Sequence, residues 1–277
     1  MMKGRLLNSL ALLVTLLIMG CSGSKTPTEL TSIEALKSPE TAKINSIRLD
    51  VLKQTARSMG AQASLSWRSR QLNLMLNSQK RTLDHIFNFN YLILSQNVLP
   101  PILVEGRNTL NLADEFTIRV SDHDYQIAQP PRFITAPPNW RSYIWMPYKK
   151  PEIPNGTLLP QSAAERKIWN EYIQVGWNEG VTQADQIFTA NLARLQRDYE
   201  GMILYRKLLA QNMVTPPYVS KAELGVTGDG NNIHINDRVL RITSISQLQT
   251  DPKNWQPAIS TKKEMHQNTS CSNTNRN

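Results

Sequence analysis

Four histidines (His85, His123, His234 and His266) and two cysteines (Cys21 and Cys271) are the side chains best able to do chemistry. Their spacing does not organise it. No histidine sits in an HExxH arrangement, which would set two imidazoles on one helix face around zinc, and no CxxC pair supplies thiolates. No GxSxG raises a serine nucleophile, and no lysine follows a glycine-rich phosphate loop. Asp122-His123-Asp124 imitates a ligand cluster, but neighbouring residues of a strand point to opposite faces, so the run reads as a turn. Asp229 and Asp237 lie in glycine- and asparagine-rich stretches without the spacing or closing glutamate of a calcium loop. They read as turn formers, and His234 as a structural histidine. The residues predict no catalytic centre, no cofactor and no metal site.

Cys21 is different. Lys3 and Arg5 begin a short positive segment, and Leu10 to Met19 is apolar except for Thr15. Ten such residues are too few to span a bilayer, which takes about twenty, and they suit a secretory signal. Ile18-Met19-Gly20-Cys21 resembles the bacterial lipobox, with a branched aliphatic three residues before the cysteine and a small residue just before it. The expected product begins at Cys21, whose sulfur carries a diacylglycerol and whose new N-terminus is acylated; several acyl chains anchor stably where one is marginal. Ser22 in place of aspartate fits transfer to the outer membrane, facing the periplasm. With Cys21 acylated, Cys271 has no disulfide partner, so packing alone must hold the fold.

The chain has 277 residues, 31 Lys+Arg against 22 Asp+Glu, and a net charge of +9. The basic residues are dispersed, so direct binding of nucleic acid is not expected. Residues 1–20 read as the signal peptide, 21–41 as a lipidated flexible tether, 42–249 as the folded domain and 250–277 as a polar, disordered tail. Within the domain, Ile47 and Val51, then Leu65, Leu72, Leu76 and Leu83, step along one helix face. Gly60 marks a break or a close contact. Thr117–Val120 and Tyr125–Ile127 read as a hairpin around the Ser121–Asp124 turn. The proline-rich stretch 129–160 reads as a wrapped loop that Trp140, Tyr143 and Trp145 pin to the core. Ser162-Ala163-Ala164-Glu165 is a capping box. Beyond Gly176 and Gly180, Val181, Phe188, Leu195 and Met202 recur every seven residues as a core stripe, until Pro216 and Pro217 stop the helix. Three short strands follow (218–226, 233–235 and 239–242), with turns at Gly228–Asn232 and Asn236-Asp237. The expected class is α+β, predominantly helical with small antiparallel sheets and hairpins.

The strings LPPILVEGRNTLNLAD (99–114), GMILYRKLLAQNMVTPPYVS (201–220) and LGVTGDGNNIHINDRVLRIT (224–243) closely resemble the DotC lipoprotein family of Dot/Icm type IVB secretion systems and its IncI-type plasmid conjugation counterpart. GAQASLSWRSR (60–70) and PPNWRSYIWMPY (137–148) extend the likeness over roughly residues 42–245. The resemblance implies a structural role in an outer-membrane core complex beside a DotD-like lipoprotein and a secretin-like DotH subunit. There the family helps DotH localise and assemble within a multi-copy ring. Only the lipidated cysteine, here Cys21, carries over as a functional residue. The rival reading is a periplasmic cell-wall-binding or hydrolytic lipoprotein, which requires a convergent polar cleft. A solute-binding lipoprotein would show βαβ alternation.

Overall fold

Helix α1 (Ser46–Ser78) is followed by α2 (Lys80–Ile86), strands β1 (Val98–Leu99), β2 (Ile102–Asp114), β3 (Thr117–Gln129) and β4 (Arg132–Phe133), and the single turn α3 (Trp140–Ile144). Helix α4 (Ala163–Ala210) precedes strands β5 (Tyr218–Gly228) and β6 (Ile233–Ser244). The computed structural model describes residues 32–33 and 46–256. The signal peptide, Cys21, most of the tether, His266 and Cys271 lie outside the described residues. The class is α+β, with three two-stranded antiparallel sheets pairing β1 with β4, β2 with β3 and β5 with β6. Contacts divide the chain into two units, one of residues up to 80 with 144–191, the other of 81–143 with residues from 192 on.

In the first unit, α1 and the N-terminal part of α4 run side by side in the same direction. Leu52, Ala56, Met59 and Ala63 of α1 pack on Trp169, Ile173 and Trp177 of α4. Small residues let the backbones meet: a Cβ on Gly176 would collide with the Arg57 carbonyl, and one on Gly60 with the Ile173 carbonyl. Gly60 is thus a close contact inside an unbroken helix. Ile47 and Val51, expected on the core face, are exposed, and the buried line is Leu52, Ala56, Gly60 and Ala63. Ion pairs flank the seam: Arg48 reaches Glu165 at 2.7 Å and Arg68 reaches Asp185 at 2.7 Å.

Ser162 caps α4, its Oγ accepting from the Glu165 N–H at 3.2 Å. Glu165 reaches back as expected, accepting from the Gln161 N–H at 2.7 Å and held also by the Ser162 amide. Its carboxyl is held below the usual value first by the Arg48 guanidinium and then by these amides. No break follows Gly176 and Gly180: residues 163–210 form one helix. It ends before Pro216, in a Schellman motif. Asn212 takes φ 54°, the Met213 N–H bonds to Leu208 O at 2.9 Å, and the Asn212 N–H to Leu209 O at 3.1 Å.

The second unit is built around the C-terminal part of α4. Leu195 and Met202 of the heptad stripe are fully buried. Phe89 stacks on Tyr143 at 5.9 Å and meets Tyr199 edge-on at 5.1 Å. The buried Trp140 donates through Nε1 to Asp84 at 2.7 Å. Trp140 and Tyr143 therefore pin the proline-rich stretch as expected, whereas Trp145 stays partly exposed.

Two turns read from sequence are corrected. Ser121–Asp124 is not a turn but the middle of β3, with Ser121 opposite Thr109 and His123 opposite Arg107; the turn is Glu115-Phe116. Polar residues are tolerated there because a two-stranded ribbon exposes much of both faces. Asn236-Asp237 is not a turn either. Asn236 takes φ 59° inside β6, an extra residue between Ile235, which pairs with Val226, and Asp237, which pairs with Gly225 at φ 77°, where the ladder register shifts. These left-handed residues form paired bulges in one long hairpin, which replaces the three short strands. Residues 250–256 continue the ordered chain past 249: Pro252–Asn254 form a 3-10 turn and the Gln256 N–H bonds to Gln211 O at 2.8 Å.

Candidate interaction surface

Both long ribbons grow from one cluster. Leu103, Tyr125 and Ile127 at the root of β2–β3 pack with Tyr205 and Leu208 of α4, and with Val214 and Leu248, which flank β5 and β6. Gly201 allows this approach: a Cβ there would lie 2.6 Å from Leu103 O. Arg206 fixes the entering chain by donating to Tyr91, Leu92 and Ile93 carbonyls at 3.1–3.3 Å.

Beyond the root, the apolar residues of β2–β3 change face. Leu103 pairs with Ile127, whereas Leu110 pairs with Val120 and Leu112 with Ile118, in one uninterrupted register. Odd-numbered Tyr125 and Ile127 face the core; even-numbered Ile118 and Val120 must point the other way. Leu110, Leu112, Ile118 and Val120 are 59–73% exposed, and Phe116 at the tip is 94% exposed. The tip is fixed, because Asp114 accepts from the Phe116 N–H at 2.9 Å; that amide, with Thr117, pulls the Asp114 carboxyl below its usual value. The β5–β6 ribbon repeats the arrangement. Val226 pairs with Ile235 and Gly228 with Ile233, so Val226, Ile235 and Ile233 share a face, all strongly exposed. Its tip is closed by Asp229, which accepts from the Asn231 and Asn232 N–H groups. These amides lower the Asp229 carboxyl in turn.

Contiguous exposed apolar patches of this kind mark contact surfaces. Each such side chain removed from water contributes roughly 1.5–3 kcal/mol, so the two ribbons are equipped to bind by burial.

The residues singled out for chemistry are dispersed. His85 is exposed at the end of α2, and His123 lies mid-strand on β3, its Nδ1 3.2 Å from Glu105. His234 sits opposite Thr227 on β6, and the Thr227 hydroxyl donates to Asp237. Among the described residues, no group of three or more His, Cys, Asp and Glu could hold a metal ion. The apolar ribbon faces, by contrast, were absent from the sequence reading. The alternation Leu110-x-Leu112 with Ile118-x-Val120 was the available signal.

A family model described as type IV secretory system, conjugal DNA-protein transfer, matches residues 46–257. The chain belongs to this family. The match covers both long helices and both ribbons. No curated protein matches the chain. Membership places the protein in type IV secretion and conjugation. Among the described residues no helix is long and apolar enough to cross a membrane.

Proposed function

We propose that this protein is a structural subunit of the type IV secretion apparatus, held at the outer membrane by lipid on Cys21 and facing the periplasm. There it works beside a DotD-like lipoprotein and helps a DotH-like, secretin-like subunit localise and assemble. The observation that carries the reading is the pair of long ribbons with exposed apolar faces in a family member of a conjugal transfer system. Such surfaces act by being buried against partners, and a lipid at Cys21 would hold them near the membrane. The role is one of contact, not catalysis.

The test is the Cys21→Ser variant in cells carrying the transfer system. Labelling with a fatty-acid analogue should mark the wild type and not the variant. The variant should also be lost from outer-membrane fractions, together with part of the DotH-like subunit. Label retained on the variant overturns the anchor; a normally placed DotH-like subunit overturns the assembly role.

A further inference from the structure

Residues 21–41 read as a flexible tether in the sequence, yet Ile33 within that stretch is buried. Ser32 and Ile33 are helical, with Ser32 exposed and Ile33 set in the core of the first unit. Its cluster includes Leu52 and Ala56 of α1, Leu159 and Trp169 of α4. The Trp169 side chain is fully buried, and its Nε1 donates to the Ile33 carbonyl at 3.5 Å. Without Ile33 that buried N–H would lose this acceptor, and an unsatisfied buried donor is costly. Arg48 holds the wall of the seat in place. It pairs with Glu165 and donates to the Thr157 and Leu159 carbonyls at 2.9 and 3.2 Å. Segments far apart in the sequence thus form one socket, and Ile33 fills it.

Resting on the lipid anchor at Cys21 argued above, we propose that Ile33 is a second fastening of the N-terminal chain, one that sets how far the first unit can stand from the membrane. Cys21 to Ile33 is twelve residue steps, and Cys21 to Ser46 at the start of α1 is twenty-five. An extended chain covers at most about 3.3–3.6 Å per residue. With Ile33 seated, the socket lies within about 40 Å of the acylated cysteine. With Ile33 released, Ser46 can lie up to about 85 Å away. Halving the free chain raises the local concentration of the domain at the membrane about threefold, since effective concentration falls roughly as the −3/2 power of length.

The test is a pair of insertions in the full-length chain, read by DNA transfer in cells. Twelve Gly-Ser residues placed between Ser24 and Lys25 lengthen the chain ahead of the fastening. The same twelve placed between Glu40 and Thr41 lengthen it behind the fastening, and doubling that connection weakens seating only about threefold. The first insertion should transfer DNA at least threefold less well than the second, and Ile33→Asp should resemble the first. Equal transfer from the two insertions, whether normal or reduced, overturns the proposal.

Two readouts report the seating alone. In the purified chain from residue 21 carrying Cys21→Ser, Ile33→Asp should lower Tm by about 3–10 °C. A photocrosslinker at the exposed Ser32 should give adducts within the same chain at residues 157–169. Adducts with a second copy or another protein overturn the seating. Fatty-acid labelling separates the two readings. A wild type that takes no label removes the anchor and this standoff with it, whereas an unmoved Tm beside normal labelling removes the seating and leaves the anchor.

Discussion

Replacing Gly176 by alanine tests the packing of α1 on α4 because two effects oppose each other. In an unobstructed helix interior, alanine is more stable than glycine by roughly 0.5–1 kcal/mol. At Gly176 the added Cβ would overlap the carbonyl oxygen of Arg57 and lie 2.7 Å from its carbonyl carbon and 2.9 Å from its Cα. All are backbone atoms of α1, so no rotamer change relieves them and the helices must part. Forcing extra volume into a packed seam costs about 1–3 kcal/mol, which exceeds the propensity gain. The expected net loss is about 1–2 kcal/mol. For a chain of this size that lowers Tm by roughly 2–8 °C, measurable by far-ultraviolet circular dichroism on heating and in urea. Gly156→Ala is the control, since nothing lies within 4 Å of a Cβ there, and it should change stability by a few tenths of a kcal/mol at most. A Gly176→Ala protein as stable as wild type, or more so, would refute the close approach.

Leu195→Ala should destabilise by about 2–5 kcal/mol, because Leu195 is fully buried; an unmoved urea midpoint would contradict that. The Glu165 carboxyl is depressed below its ordinary value of 4.5, chiefly by Arg48. Its contribution is therefore present above about pH 4.5 and lost as the pH falls through the lower folded value. Arg48→Met should cost about 1–3 kcal/mol at pH 7, since Glu165 is buried and Arg48 only partly so. It should cost progressively less in urea titrations at lower pH; a pH-independent difference would count against the pair.

The parts of the fold legible in the sequence were those whose signal is local. The Leu195–Met202 stripe and the Ser162 cap follow from spacing and hydrogen-bond chemistry within a few residues. Of the α1–α4 seam only Gly60 was legible, as a break or a close contact, because the contact line of Ala56, Gly60, Ala63 and Gly176 carries little hydrophobicity; what it offers is closeness, which depends on the partner helix. That is also why Ile47 and Val51 misled: they are apolar, but nothing comes to cover them. The polar run at Ser121–Asp124 looked like a turn because a strand is expected to have a buried face, and a protruding ribbon needs none. The same property hid the interaction surface. Leu110, Leu112, Ile118 and Val120 have the alternation of a core strand, and only the register against Leu103 and Ile127 turns them outward.

The measurement that bears most directly on the account is DNA transfer by cells whose only copy of this protein carries Leu112→Asp with Ile118→Asp, beside cells carrying His123→Ala or His234→Ala. Both ribbon positions are exposed, so the protein should fold and accumulate normally. A subunit that works by contact predicts transfer collapsing by orders of magnitude in the ribbon variant and staying within a few-fold of wild type in the histidine variants. Normal transfer with the ribbon face charged, or its loss with a single well-folded histidine variant, would contradict it.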